Sequence, residues 1–291
     1  MSVVVIVNPI AGGCTSRRAR TRVTQARAAL AALSERGEVF VTERPGHGRV
    51  LAAQAVGRGA RLVIAWGGDG TVHEVASALV GSATALGFVR SGSGNGLARA
   101  LGVARAPSQA IHEACRAVAH RIDVGQCCGE PFFNLAGVGL DAEVARLFDE
   151  AGPSERGLCA YVRIAARQLV QYKATPYRVN GHRTRPALLI TVANASQFGN
   201  GATIAPTASV VDGLLDVVVF EELSRCRTIC ALPRLFTGGI AKVRGVSIQK
   251  LASVTIEHER PLTYHLDGEP RHGLTRLELT VRQAALQVCV R

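Results

Sequence analysis

The chain has 291 residues, room for two domains of about 100–200 residues each. With 47% hydrophobic and 19% charged residues it can bury a substantial core, which excludes a globally disordered chain. Lys and Arg number 34 against 22 Asp and Glu, a net charge of +12 carried almost wholly by Arg. Such a surface favours anionic partners: nucleic acid, acidic lipid headgroups or phosphorylated metabolites.

In chain order, the first 122 residues alternate short apolar runs with amphipathic ones. Residues 3–7, 39–41, 62–66 and 86–89 read as buried strands. Between 15 and 35, Val23, Ala26, Leu30 and Leu33 recur every three or four residues, the period of a helix. Its other face carries Arg17, Arg18, Arg20, Arg22 and Arg27, a surface suited to anionic headgroups or simply to solvent. Strand–helix alternation predicts parallel strands joined by helical crossovers.

From about Asp123 strand-like segments follow one another, at 121–126, 131–135, 177–180, 187–193, 215–220, 246–249, 254–257 and 277–282. Helical patterns near 139–150, 157–172 and 223–237 interrupt them, and Asn180-Gly181 is a two-residue hairpin signal. The expected fold is α/β + β. An α/β nucleotide-binding domain spans 1–122, and a β-rich acceptor domain, a sandwich or flattened barrel, spans 123–283 with a cleft between. A last strand within 284–291 returns to the first domain. Residues 187–211 carry no charge, but Asn194, Gln197 and Asn200 exclude a membrane-spanning helix there. The eight Cys form no CxxC and no leader segment precedes the first strand, so they read as reduced, buried thiols of a cytosolic protein.

The chemistry lies in three glycine turns, each following a predicted strand. They are Asn8-Pro9-Ile10-Ala11-Gly12-Gly13, Gly67-Gly68-Asp69-Gly70-Thr71 and Ser91-Gly92-Ser93-Gly94-Asn95-Gly96. Glycine lets a backbone approach a ligand closely, and helix N-terminal N–H groups bind anions. At the carboxyl ends of parallel strands such turns line a ligand crevice. An Asp in an anion-binding turn calls for a compensating cation or an aligned hydroxyl, and Asp69 suggests Mg²⁺ bridging to phosphate. No Gly-Lys dipeptide exists for a Walker A loop, and H-R-D, D-F-G and G-x-S-x-G are absent. Phosphates must then be held by backbone N–H groups, Mg²⁺ and Arg.

With Thr71-Val72-His73-Glu74-Val75, Asn8-Pro9, and Thr42 with Gly46-His47, the chain resembles the catalytic domain of diacylglycerol and sphingosine kinases. The resemblance continues through Arg121-Ile122-Asp123-Val124-Gly125, 134–141, Asn194, Gly199-Asn200-Gly201, Asp212-Gly213-Leu214-Leu215-Asp216 and His265-Leu266-Asp267-Gly268-Glu269. It implies an ATP- and Mg²⁺-dependent lipid kinase. ATP would be bound by Asn8, Pro9, Ile10, Ala11 and Gly12, by Thr42, by Gly67, Gly68, Asp69, Gly70, Thr71, Val72, His73 and Glu74, and by Ser93, Gly94 and Asn95. Asp69 and Asp123 would organise the catalytic Mg²⁺. A second, structural Mg²⁺ or Ca²⁺ is implied at Ser209, Asp212 and Leu214. Asp267 and Glu269 rank nearly equal as the general base toward a diacylglycerol or sphingoid-type hydroxyl.

The implied partner is a lipid presented at a membrane surface, with no nucleic acid, and a homodimer is compatible with this. The implied location is cytoplasmic, peripheral at the inner face of the membrane. Three positions depart from the pattern: Gly96 removes a carboxylate, Arg90 replaces a common Pro, and His73 a frequent Asn. On the helix at 157–172, Leu158, Tyr161, Val162 and Leu169 suit either a lipid pocket or the core. The rival readings are an NAD kinase, which shares the Gly-Gly-Asp-Gly turn, and a catalytically inactive nucleotide sensor or nucleic-acid binder. With 4% aromatics the chain offers little stacking surface to single strands.

Overall fold

The computed structural model describes residues 2–12, 16–92, 94–152, 158–199 and 201–291. The chain divides into two compact units, Met1–Ile122 with Gln283–Arg291, and Asp123–Arg282. Ser93, Cys14 and Asn200, all singled out in the sequence, lie outside the described residues.

In the first unit the order is β1 (Val3–Val7), α1 (Ser16–Ala32), β2 (Gly37–Val41), α2 (His47–Gly57), β3 (Leu62–Gly67), α3 (Asp69–Leu79), β4 (Ala85–Arg90), α4 (Gly96–Ala100) and α5 (Pro107–Arg116). The strands pair in parallel in the order β2-β1-β3-β4. β1 and β3 are buried along their whole length, as unbroken β-branched runs in a covered parallel sheet must be. Each fully buried Val or Ile there contributes about 1.5–3 kcal/mol. β2 is the edge strand and is half exposed, so 39–41 is not the buried strand that its composition suggested.

The chain moves from β1 outward to β2 and then back across to β3. Right-handed crossovers therefore put α1 on the opposite face from α2 and α3. That reversal between β1 and β3 is the topological switch point, where a crevice opens at the carboxyl edge. Residues 283–291 complete the unit, with Val288 parallel to Leu86.

The second unit continues with β5 (His120–Cys127), β6 (Glu130–Phe132), β7 (Leu135–Gly139), α6 (Leu140–Glu150), α7 (Leu158–Gln171), β8 (Arg178–Val179), β9 (His182–Arg183), β10 (Ala187–Ala193), β11 (Gln197–Gly199) and β12 (Ala202–Thr203). Then come β13 (Leu215–Glu221), α8 (Arg225–Ala231), β14 (Val246–Leu251), β15 (Ser253–Glu257), β16 (Thr263–Leu266), β17 (Glu269–His272) and β18 (Arg276–Val288). Six strands form an antiparallel sheet, β14-β13-β10-β7-β16-β17. β15 pairs with the first half of β18 and with the β8–β9 hairpin.

Side chains from both groups, among them Phe132, Val138, Ile190, Val217, Ile256, Leu266 and Leu277, share one core, which makes this unit a β-sandwich. Leu140, Val144, Tyr161, Ile164 and Leu169 of α6 and α7 pack with Leu188 and Phe220 in a separate cluster. Tyr161 and Leu169 are partly buried and pack against this cluster, whereas Val162 is exposed and the Leu158 side chain is outside those described. Among the described residues no helix is long and apolar enough to cross a membrane. The uncharged stretch from 187 holds β10, β11 and β12 instead.

Two predicted elements are broken. The segment 131–135 splits between β6 and β7 because the N–H groups of Phe133, Asn134 and Leu135 turn to the Asp267 carboxylate. The helix expected over 223–237 ends at Ala231 and continues as a 3₁₀ turn over Leu232–Leu235, where Pro233 has no N–H to give.

The cysteines also differ from expectation. Cys115, Cys127 and Cys289 are buried, but Cys128, Cys159, Cys226 and Cys230 are exposed. Burial pushes the Cys115 thiol up to about 11 and raises Cys127 and Cys289 as well. The thiolate is the reactive form. Alkylation of the native protein at pH 8, read site by site by mass spectrometry, should therefore modify the four exposed thiols first. The three buried ones should react only after denaturation; native labelling of Cys115 as fast as Cys159 would contradict this burial.

Candidate active site

In the first unit the three turns after β1, β3 and β4 lie against one another at the carboxyl edge. Asn8 Nδ2 donates to Thr71 Oγ1 at 2.9 Å, bridging the crevice at the switch point. Asn8 Oδ1 accepts from Ile10 N at 3.0 Å and so shapes its own turn. A Cβ on Gly12 would stand 2.2 Å from the Ser91 carbonyl oxygen, and one on Gly92 2.9 Å from the Gly68 Cα. The backbones of neighbouring turns touch where only glycine fits. α3 starts at Asp69 with Gly68 as its N-cap.

The Asp69 carboxylate ties the second turn to the third. Its Oδ2 accepts from Asn95 N at 2.7 Å and its Oδ1 from Gly96 N at 2.8 Å. A Cβ on Gly94 would lie 2.4 Å from Asp69 Oδ2. Asn95 is buried in the left-handed region (φ 53°), its side chain bonded to both N–H and C=O of Gly92. Arg99 Nε donates to Gly94 O at 2.8 Å. Burial and the neighbouring Arg99 and Arg105 press the Arg90 guanidinium below its usual range, the mark of a positive field beside this turn.

Not every expected nucleotide residue points a free group into the crevice. Glu74 Oε1 and Oε2 accept from Gly46 N at 2.7 Å and Gly48 N at 2.9 Å, so Glu74 holds the turn after Thr42. Thr42 is itself buried, its N–H on Val7 O at 2.9 Å. His73 is buried, and its carbonyl accepts from Ser77 Oγ. Arg22, read from the sequence as a candidate headgroup contact, instead clamps the first turn by donating to Asn8 O and Ala11 O, both at 2.9 Å. The side chains of Arg17 and Arg18 are outside those described.

In the second unit, Asp267-Gly268 is the two-residue turn between β16 and β17, both residues at positive φ (52° and 89°). The hairpin aims the two acids differently. Asp267 Oδ2 accepts from Phe133 N at 2.9 Å, and its Oδ1 from Asn134 N at 2.8 Å and Leu135 N at 3.1 Å. Three backbone N–H groups of one turn thus converge on that carboxylate. Glu269 has its side chain 37% exposed, with Arg271 NH2 at 3.4 Å from Oε2. The two acids, ranked nearly equal in the sequence, thus differ in their partners: Asp267 binds the backbone of 133–135 and Glu269 faces Arg271.

The turn has a buried support that sequence reading missed. Gly268 N donates to His265 Nδ1 at 3.2 Å, which leaves the proton on Nε2 for Asp141 Oδ2 at 3.4 Å. Thr191 Oγ1 donates to the same Asp141 oxygen at 3.0 Å. Asp123 is also buried. Its Oδ2 accepts from Gly213 N at 2.7 Å and its N–H donates to Val210 O at 2.6 Å. Asn194, wholly buried, donates to the carbonyls of Asp123 and Phe133.

The turns fit a nucleotide phosphate through their close-set glycine backbone, and Asp69 offers hard carboxylate oxygen to a divalent cation beside the Asn95 and Gly96 N–H groups it already accepts from. The loop at Ser209, Asp212 and Leu214 does not fit a second ion. The Asp212 carboxylate is taken by the Lys250 ammonium, which also donates to Thr207 O at 2.8 Å. Among the described residues no group of three or more His, Cys, Asp or Glu is gathered to hold a metal.

Residues 2–127 match the diacylglycerol kinase catalytic domain, and residues 134–290 the YegS C-terminal NAD kinase beta sandwich-like domain. A protein of Chromohalobacter salexigens named probable lipid kinase YegS-like is 31% identical over 261 residues, 86% of this chain and 83% of its own. One of the same name from Cronobacter sakazakii is 32% identical over 86% of this chain and 85% of its own. A solved structure described as a diacylglycerol kinase from Bacillus anthracis str. Sterne matches with a TM-score of 0.75 at 20% identity. The match spans 100% of this chain and 97% of that one, a likeness of fold.

Proposed function

Because the chain belongs to the YegS-like family of lipid kinases with a diacylglycerol kinase catalytic domain, and so transfers phosphate to an alcohol, we propose that it moves the γ-phosphoryl group of ATP, with Mg²⁺, to a lipid hydroxyl. The favoured acceptor is a diacylglycerol or sphingoid-type lipid taken from a membrane surface. The observation that carries this reading is the mutual contact of the three turns, Gly12 on Ser91 and Gly68 on Gly92, with Asp69 binding Asn95 and Gly96. It supports a polyphosphate cradled by close-set glycine backbone.

In this reading Asp69 and Asp123 would hold Mg²⁺, and the ion would supply neutralisation of charge on the transferring phosphoryl group. Asn8 and Arg22 keep the first turn closed on the nucleotide. Arg90 and Arg99 add positive potential beside the third turn. Glu269 accepts the proton of the attacking hydroxyl, since an alcohol is a weak nucleophile until that proton has an acceptor. Asp267 holds the hairpin that carries Glu269.

A panel of acceptors in detergent micelles tests the proposal: diacylglycerol, monoacylglycerol, sphingosine, ceramide, phosphatidylglycerol and NAD, with γ-labelled ATP and Mg²⁺. Label in a lipid is the expected result. Label on NAD alone would overturn the choice of acceptor.

A further inference from the structure

We infer that Lys250 is a built-in cation, its ammonium taking in the 207–216 loop the place of the second divalent ion that the family resemblance implies there. The loop gathers negative charge at one point. Asp216 is completely buried on β13, and Asp212 lies four residues before it. Asp216 Oδ1 accepts from Thr207 Oγ1 at 2.6 Å, while its Oδ2 is buried without a hydrogen bond. A buried carboxylate left in that state needs a countercharge.

Lys250 supplies it from the neighbouring strand. In the β13–β14 register Lys250 stands directly opposite Asp216. Its Nζ donates to Asp212 Oδ2, donates to Thr207 O at 2.8 Å and lies 3.4 Å from Asp216 Oδ2. Two carboxylates and a backbone carbonyl around one cation are the hard-oxygen set that a Ca²⁺ or Mg²⁺ ion would seek. Here three N–H donors on a tethered stem meet it, and no ion has to be recruited from solution.

The consequence reaches Asp123. The stretch that Lys250 pins from both sides, at Thr207 and at Asp212, contains Val210 and leads into Gly213, both of which bond to Asp123 through their backbone. Lys250 is in that sense a positioning residue, and the inference stands on this loop whatever the acceptor lipid proves to be.

Thermal unfolding of the nucleotide-free protein, in EDTA and in millimolar CaCl₂, tests it. The wild type should unfold at the same temperature in both. Lys250→Ala should unfold earlier in EDTA and recover about 5–10 °C once Ca²⁺ reaches about a hundredfold over its dissociation constant. Dialysis against ⁴⁵Ca²⁺ should find an ion in Lys250→Ala that is lost in Lys250→Ala/Asp212→Asn. A wild-type Ca²⁺ response abolished by Asp212→Asn would overturn the inference, and so would a folded Lys250→Ala without a Ca²⁺ response. If Lys250→Ala does not fold, the comparison of wild type with Asp212→Asn decides alone.

Discussion

Glu269→Gln is expected to lower kcat by about 10²–10⁴-fold while leaving nucleotide affinity and the urea midpoint unchanged, because a general base contributes about that much to proton transfer. Asp267→Asn is expected to behave in the opposite way. Asn tolerates the left-handed backbone that Asp267 adopts at φ 52°, so the turn itself is kept. The amide has only one acceptor oxygen for the N–H groups of Phe133, Asn134 and Leu135, and leaves at least one of them unpaired. An unsatisfied buried partner of this kind costs about 1–3 kcal/mol. Urea unfolding should show that loss in Asp267→Asn, with activity falling as the folded hairpin is lost. The reverse pattern, a stable but inactive Asp267→Asn beside an active Glu269→Gln, would exchange the two roles.

A second large effect is expected at the first turn. Gly12 has φ 69°, and a Cβ there would sit 2.2 Å from the Ser91 carbonyl oxygen, a backbone atom that can yield only if the first and third turns part. Gly12→Ala should therefore weaken ATP binding by at least about tenfold, in addition to the roughly 1–2 kcal/mol of stability that the left-handed backbone alone costs. Gly59→Ala separates the two causes. Gly59 has φ 72° with nothing within 4 Å of its Cβ position, so that variant bears the strain without the collision. It should lose stability and keep its ATP affinity, as measured by calorimetric titration. Equal losses of affinity in both variants would mean that contact between the turns does not shape the nucleotide site.

Much of the first unit is legible in the sequence, because its signals are local. A buried parallel strand is a short β-branched run, and the three glycine turns announce themselves by composition. The second unit is less so. Its hairpin at Asn180-Gly181 reads directly, and both residues are at positive φ. The split of 131–135 does not, since the acceptor that draws those N–H groups aside lies more than 130 residues away. The periodicity of a helix tells which face is polar but not what a polar side chain reaches. Arg22 thus reads as a surface cation until its two carbonyl partners are seen. Lys250 illustrates the same gap: only the strand register sets it opposite Asp216. Glu74 reads as part of the nucleotide turn, yet its carboxylate serves Gly46 and Gly48. The exposed cysteines stand on turns and outward helix faces, which composition does not distinguish from a core.

The most direct measurement is transfer of γ-labelled phosphate from ATP to diacylglycerol in mixed micelles, run in parallel on wild type, Asp69→Ala and Glu269→Gln. The account predicts label in the lipid with the wild type and almost none with either variant, although Glu269→Gln still binds ATP. Undiminished label with Glu269→Gln, or label that survives Asp69→Ala, would contradict it.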